Sequence, residues 1–204
     1  MPRRDVVIAR LKRRERPRAE RFVTPSINII DRIKEHYGHE RSSLDISLVP
    51  REYDVLINDA SVVNPFIVSQ KLIRIAKAET KGLSSLEDKA LSLFSWVHRN
   101  IAYEQLPNGY RNAKETLYEG KGVCGEMAFV YITMARSTGL RSAYASVTKD
   151  SFGKEVSHGC AVVDTGLQAV LVDPAYHTFD IKHQEYRVRS DAEVLSMFNQ
   201  WRHS

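Results

Sequence analysis

The chain has 204 residues, 43% of them hydrophobic, a length and core fraction that suit one domain with an appendage. No apolar run approaches the ~18 residues that a membrane-spanning helix needs, and the basic start lacks the apolar stretch of a secretory signal, so a cytoplasmic protein without membrane contact is expected. The formal net charge of +5 is uneven along the chain, and its two cysteines, Cys124 and Cys160, exclude a disulfide framework and any four-thiolate zinc site; no metal or cofactor is expected.

Residues 1–25 form a basic segment, with nine Arg or Lys against three acids between Arg3 and Arg21. Such a block reads first as a solvated tail or exposed helix face, and second as a weak contact for nucleic acid, an anionic surface or a protein partner. No aromatics are interleaved for base stacking, as single-strand binders use. Residues 26–64 read as a helical or irregular extension. Ser26 to Tyr37 carries Ile29, Ile30 and Ile33 on one helical face and stops at Gly38, while Leu44 to Ile57 is patchily strand-like and broken by Pro50.

From Pro65 to the C-terminus, residues 65–204, the signals sharpen into one folded unit. Pro65 to Thr80 predicts a helix, with Pro65 in its first turn and Ile67, Leu72, Ile75 and Ala76 inward. A second helix is expected from Ser84, with Glu87 completing a capping box and Leu86, Ala90, Leu93, Phe94 and Val97 forming an amphipathic stripe. A loop comes next, from Glu104 to Arg111, then a short helix from Asn112 to Tyr118. Gly120 and Gly122 frame a turn into Cys124 to Thr138, a helix so apolar on every side that it should be the buried centre of the domain. Beyond Gly139 the pattern changes to strands at Ser142–Thr148, Gly159–Asp164 and Gln168–Val172, the last two joined as a hairpin. Ser190 with Glu193 caps a final helix to about Trp201. The fold class is therefore α+β, a central helix packed on an antiparallel sheet.

Three residues stand out chemically. A helix start favours a thiolate through its unpaired N–H groups, and Cys124 sits at one, where its own N–H could help stabilise an oxyanion. A thiol nucleophile also needs a base and a group that orients the base. His158 stands just before one strand of the hairpin and Asp173 just after the other, so a tight turn around Thr165–Gly166 would set them opposite one another. Taken singly, each has a plainer reading: a core cysteine, a structural histidine, and a turn Asp before Pro174. His177 is a rival base, but it lies beyond the strand–Asp–Pro segment.

The order and local sequences resemble the transglutaminase-like superfamily, whose core is papain-like. Gly122-Val123-Cys124-Gly125-Glu126-Met127-Ala128 is similar to that family's nucleophile motif, and Gly139-Leu140-Arg141 to the segment after its helix. His158-Gly159-Cys160-Ala161-Val162-Val163 and Leu171-Val172-Asp173-Pro174 are similar to its His and Asp strands, and Trp96-Val97 through Ile101-Ala102-Tyr103 to the helix and Tyr upstream. The resemblance covers about Pro65 to Phe179 and implies a Cys124–His158–Asp173 triad. Two departures exist. Cys160 stands where the family often has Trp, either as a small core residue or as a redox partner for Cys124. The side chain that assists the oxyanion is assigned to Tyr110, with Tyr103 and Gln105 as competitors.

The resemblance implies covalent acyl transfer on a peptide or side-chain amide of a protein or peptide substrate, through a thioester on Cys124. Resolution by water makes a peptidase or deamidase, which is the favoured reading; resolution by an amine makes a cross-linking glutamyltransferase. A scaffold that binds nucleic acid or protein through the basic segment is the alternative from a different class.

Overall fold

The computed structural model describes residues 44–49, 63–105 and 109–203. The basic segment, the helix expected over Ser26–Tyr37 and most of the strand-like stretch to Ile57 lie outside the described residues. Of that stretch, Leu44 forms an isolated antiparallel bridge to Ala169, and Ile46–Leu48 is one 3-10 turn.

Helix α1 (Gln70–Glu79) starts later than Pro65, because Ser69 is its N-cap, accepting from the Leu72 N–H at 3.2 Å. Upstream, the Asn64 side chain accepts from the Phe66 N–H at 2.9 Å. This turn holds Phe66 edge-on against Phe129, with ring centroids 5.6 Å apart. Helix α2 (Leu86–Asn100) is capped by Ser85, which accepts from the Asp88 N–H, one residue later than the Ser84–Glu87 box expected. Of the expected stripe, Ala90, Leu93, Phe94 and Val97 are buried, whereas Leu86, the first helical residue, is exposed.

Two short strands missed in the sequence, β1 (Ala102–Tyr103) and β2 (Lys121–Gly122), pair in parallel on either side of α3 (Ala113–Glu119). With two residues each, they offer no periodicity to read. Helix α4 (Cys124–Ser137) has no exposed face: every residue from Cys124 to Ala135 is buried. It packs against α1, α2 and α3 and against the main sheet, the position expected of a helix apolar all round.

The main sheet holds β3 (Ser142–Lys149), β4 (Glu155–Asp164), β5 (Ala169–Asp173), β6 (Thr178–Phe179) and β7 (Glu185–Arg189), in the order β6-β5-β4-β3-β7, all antiparallel. Side chains alternate between two cores. Tyr144, Ala161, Val163, Val170 and Val172 join α4, whereas Ala143, Ala145, Cys160, Val162 and Leu171 form a second cluster with Val49 and Ile181. Helix α5 (Asp191–Arg202) closes the fold, its Ser190–Glu193 capping box present as expected. Arg136 of α4 anchors it by two bonds to Asp191, at 2.8 and 2.9 Å.

The register between β4 and β5 differs from expectation. The turn spans four residues, with Thr165 N–H donating to the Gln168 carbonyl and Gly166 N–H to the Asp164 side chain. Asp164 therefore pairs with Ala169 and Ala161 with Val172, which sets His158 diagonal to Asp173 instead of opposite it. The shift is two residues, so both side chains stay on the same face; a slip of one would have separated them.

Candidate active site

Cys124 opens α4, but its N-cap is Val123, which has no side-chain oxygen to offer the exposed N–H groups. Glu126 serves instead. It is 1% exposed, and its Oε2 accepts from the Val123 N–H at 2.9 Å. Its Oε1 accepts from both the backbone N–H and Nε of Arg111, at 2.7 and 2.9 Å, and Arg111 Nη2 reaches Oε2 at 2.5 Å. One buried carboxylate thus ties the loop carrying Tyr110 to the helix start carrying Cys124.

Tyr110 lies close to the thiol. It lines the same cleft as Cys124, stacks obliquely on Trp201 with centroids 4.8 Å apart, and covers Gly125. A Cβ at Gly125 would lie 2.9 Å from the Tyr110 ring and 3.2 Å from the Tyr144 hydroxyl, and a Cβ at Gly159 only 1.8 Å from that same hydroxyl. Glycine after His158 leaves room for the Tyr144 Oη, and glycine after Cys124 leaves room first for the Tyr110 ring and then for that same hydroxyl. Tyr144 was not singled out in the sequence, where it looks like any inward residue of a strand. Tyr103, a competitor of Tyr110, is 60% exposed, and Cys124 and Asp173 lie near enough to act electrostatically on its phenol.

His158 sits on β4 opposite Val147, at the point where the regular β3–β4 register ends and the next pair is Lys149 with Glu155. Its Nε2 lies 2.6 Å from Asp173 Oδ2, which leaves Nδ1 toward Cys124, whose thiol lies near enough to act on the ring. Burial works against the imidazolium, but the hydrogen bonds and charges of Asp173 and Cys124 outweigh it and raise His158 to about 10. Asp173 is fully buried, at the end of β5. Burial pushes its carboxyl up, and hydrogen bonds from His158 and His183 with the Tyr176 N–H more than offset this, so it lies below the usual range.

His183 is the site residue that sequence reasoning missed. Its side chain is wholly buried and its Nε2 lies 3.0 Å from Asp173 Oδ2, the oxygen His158 uses. The other oxygen, Oδ1, accepts from the Ala175 and Tyr176 N–H groups at 3.0 and 3.1 Å. Every acceptor direction of the carboxylate is thereby used. Tyr176 stands edge-on to both imidazoles and donates its hydroxyl to Asp150 at 2.9 Å. A single His in a polar stretch between strands has no periodicity that could have pointed to it. The donor atoms of His158, Asp173 and His183 lie within 4.8 Å of one another, so this is the grouping among the described residues that could hold a metal ion. As found, both Nε2 atoms are hydrogen bonded to the carboxylate.

His177, the rival base, is turned away. It is exposed, with φ at +55°, and its Nδ1 lies 2.7 Å from His98 Nδ1. Cys160 is fully buried in the second core and is a free thiol; burial first, then the charges of Asp173 and Cys124, push its ionisation well up. That is the setting of an inert packing cysteine.

Cys124 and His158 open onto a cleft of about 320 Å³ walled by Tyr110, Tyr144, Met197 and Trp201, with Arg189 at one side and the exposed Thr148 and Ser157 at the rim. Among the described residues no helix is long and apolar enough to cross a membrane.

The model of the Transglutaminase-like superfamily matches residues 73–174, which span α1 to Pro174 and include Cys124, His158 and Asp173. No curated protein matches the chain. Among solved structures, one from Cytophaga hutchinsonii, provisionally described as a cysteine protease, is similar with a TM-score of 0.52 at 20% identity, over 74% of this chain and 55% of that one. A provisionally described protease from Parabacteroides distasonis has a TM-score of 0.45 at 12% identity, over 58% of this chain and 29% of that one. A TGase has a TM-score of 0.41 at 22% identity, over 56% and 32%. The chain thus spans about half the length of the first of these structures, and at these identities the likeness concerns the fold alone.

Proposed function

Because the chain belongs to the transglutaminase-like superfamily, we propose that it is a cysteine-dependent acyl-transfer enzyme that hydrolyses a peptide or side-chain amide through a thioester on Cys124. The observation that carries this reading is the imidazole of His158, held by Asp173 through Nε2 with Nδ1 free to serve Cys124 at the mouth of a cleft.

His158 takes the Cys124 proton, or already holds it as the imidazolium of a thiolate–imidazolium pair, and the sulfur attacks the amide carbonyl. The oxygen of the tetrahedral intermediate finds the Cys124 N–H at the start of α4 and a phenol from Tyr110, whose loop Glu126 fixes in place. His158 returns the proton to the leaving amine or ammonia. Asp173 fixes the tautomer and orientation of the imidazole and stabilises its charged form. Water is the resolving nucleophile in this reading: the exposed, polar Thr148 and Ser157 open the mouth of the cleft to solvent, and an amine entering there would compete for the same thioester.

Incubating glutamine-containing peptides with the enzyme, with and without a primary amine, tests the reading by mass spectrometry. New peptide termini, or Glu in place of Gln, that disappear in Cys124→Ala support hydrolysis. Stable incorporation of the amine assigns cross-linking instead. Wild type and Cys124→Ala behaving alike on every peptide contradicts the enzyme reading.

A further inference from the structure

The cleft beside Cys124 carries one fixed positive charge, Arg189, and no acid among the described residues that line it. Apart from His158 and Cys124, the rest of that lining is aromatic, aliphatic, hydroxylic or glycine. Arg189 is the last residue of β7, an edge strand, and pairs directly with Tyr144 of β3. Opposed residues of an antiparallel pair project to the same face, so the guanidinium leans over the face on which Tyr144 approaches α4. Arg189 and Cys124 both act electrostatically on the Tyr144 phenol, the thiol raising its ionisation and the arginine opposing it.

The guanidinium is positioned in advance. Its Nε donates to Ser146 Oγ at 3.1 Å and its Nη1 to Glu193 Oε1 at 3.3 Å. Glu193 does not neutralise it, because the same Oε1 takes a closer bond from Arg187, at 2.6 Å, leaving two cations on one carboxylate. Of the five N–H donors of an arginine, two are thus used, and the other three have no partner among the described residues. The side chain is 23% exposed, enough for a ligand to reach it and little enough to limit screening by water.

We propose that Arg189 is the carboxylate-recognising residue of this cleft, so that the enzyme selects substrates with a carboxylate close to the amide it attacks. The planar fork of unused N–H groups matches a carboxylate by two parallel bonds, and the apolar walls around it strengthen them. This deepens the proposed function and rests on Cys124 as nucleophile. A chain-terminal carboxylate and an Asp or Glu side chain share this chemistry.

Alkylation of Cys124 by matched probes separates the sources. Iodoacetyl-glycine against its amide reports a terminal carboxylate; iodoacetyl-aspartyl amide against iodoacetyl-asparaginyl amide reports a side chain. In the wild type the acid should react faster than its neutral partner in at least one pair, and Arg189→Gln should reduce that ratio by about tenfold. Arg189→Lys should retain part of it, since it keeps the charge but not the fork. Lys81→Gln removes one exposed charge outside the cleft and should leave the ratio nearly unchanged. The proposal is overturned if neither acid is preferred, if the ratio survives Arg189→Gln, or if Lys81→Gln lowers it equally. The neutral probes report separately on Cys124: rates no higher than a model thiol count against the nucleophile, while the acid-to-neutral ratio still reads Arg189.

Discussion

His183 and His158 meet on the same oxygen of Asp173, at 3.0 and 2.6 Å, with the carboxylate and the His183 side chain both fully buried. The unit behind Cys124 is thus a carboxylate between two imidazoles. An ionised carboxylate only accepts, so each Nε2 carries its proton toward Asp173. Removing His183 leaves Asp173 with one protein donor fewer in a fully buried position. His183→Ala should cost about 1.5–3 kcal/mol of stability and slow alkylation of Cys124 by disordering Asp173. His183→Gln, which retains a donor, should restore part of both. Thermal melts and alkylation rates of the two variants check this; His183→Ala matching the wild type in both would show that the second imidazole is idle.

The raised ionisation of His158 has a definite sign in pH. Its folded value near 10 exceeds its ordinary 6.5, so its contribution to stability is complete below 6.5 and is lost as pH rises through 10. Asp173 acts oppositely: held below 3.8, it contributes above that value and loses its contribution as pH falls. Denaturation across pH should show the alkaline decline in the wild type and a flatter one in His158→Ala. Because Cys124 supplies part of the upward pull, Cys124→Ala should move the His158 titration down, which NMR of the imidazole reads directly.

Glu126 joins the thiol helix to the loop bearing Tyr110 through Arg111. Glu126→Ala leaves Arg111 without its buried partner and Val123 without a cap, and should destabilise by about 3–5 kcal/mol. Glu126→Gln keeps an acceptor for one of the N–H groups and should cost less. Chemical denaturation of both variants gives the order; equal loss would mean that the charge alone matters.

Gly159 makes room for the Tyr144 hydroxyl, where a Cβ would fall 1.8 Å away. Gly159→Ala should lower the melting temperature and slow Cys124 alkylation, and adding Tyr144→Phe, which removes the nearest atom, should recover part of the loss. No interaction between the two substitutions in a double-mutant cycle would contradict the contact.

The long elements were legible because pattern and burial agree: α4 is apolar all round and buried all round, α2 buries a stripe at helical spacing, and the Ser190–Glu193 box marks the start of α5. The pairing of His158 with Asp173 survived an error in turn length because faces repeat every two residues. Features made by tertiary contact alone left no such mark in the sequence. His183 reaches Asp173 from a segment without pattern, and β1 and β2 are too short to have a period. Strand β7 did carry a signal, Tyr186 and Val188 alternating with charges, but its exposed edge position kept that alternation faint. Tyr144 was placed in its strand, yet its closeness to Gly125 and Gly159 needs three segments brought together.

The central claim is that His158 activates Cys124. The measurement that meets it most directly is the second-order rate of Cys124 alkylation by iodoacetamide, at neutral pH, in the wild type, His158→Ala and a model thiol peptide. The wild type should react faster than the peptide, and His158→Ala should remove about tenfold or more of that rate. A wild-type rate equal to the peptide's and unchanged in His158→Ala would contradict the claim.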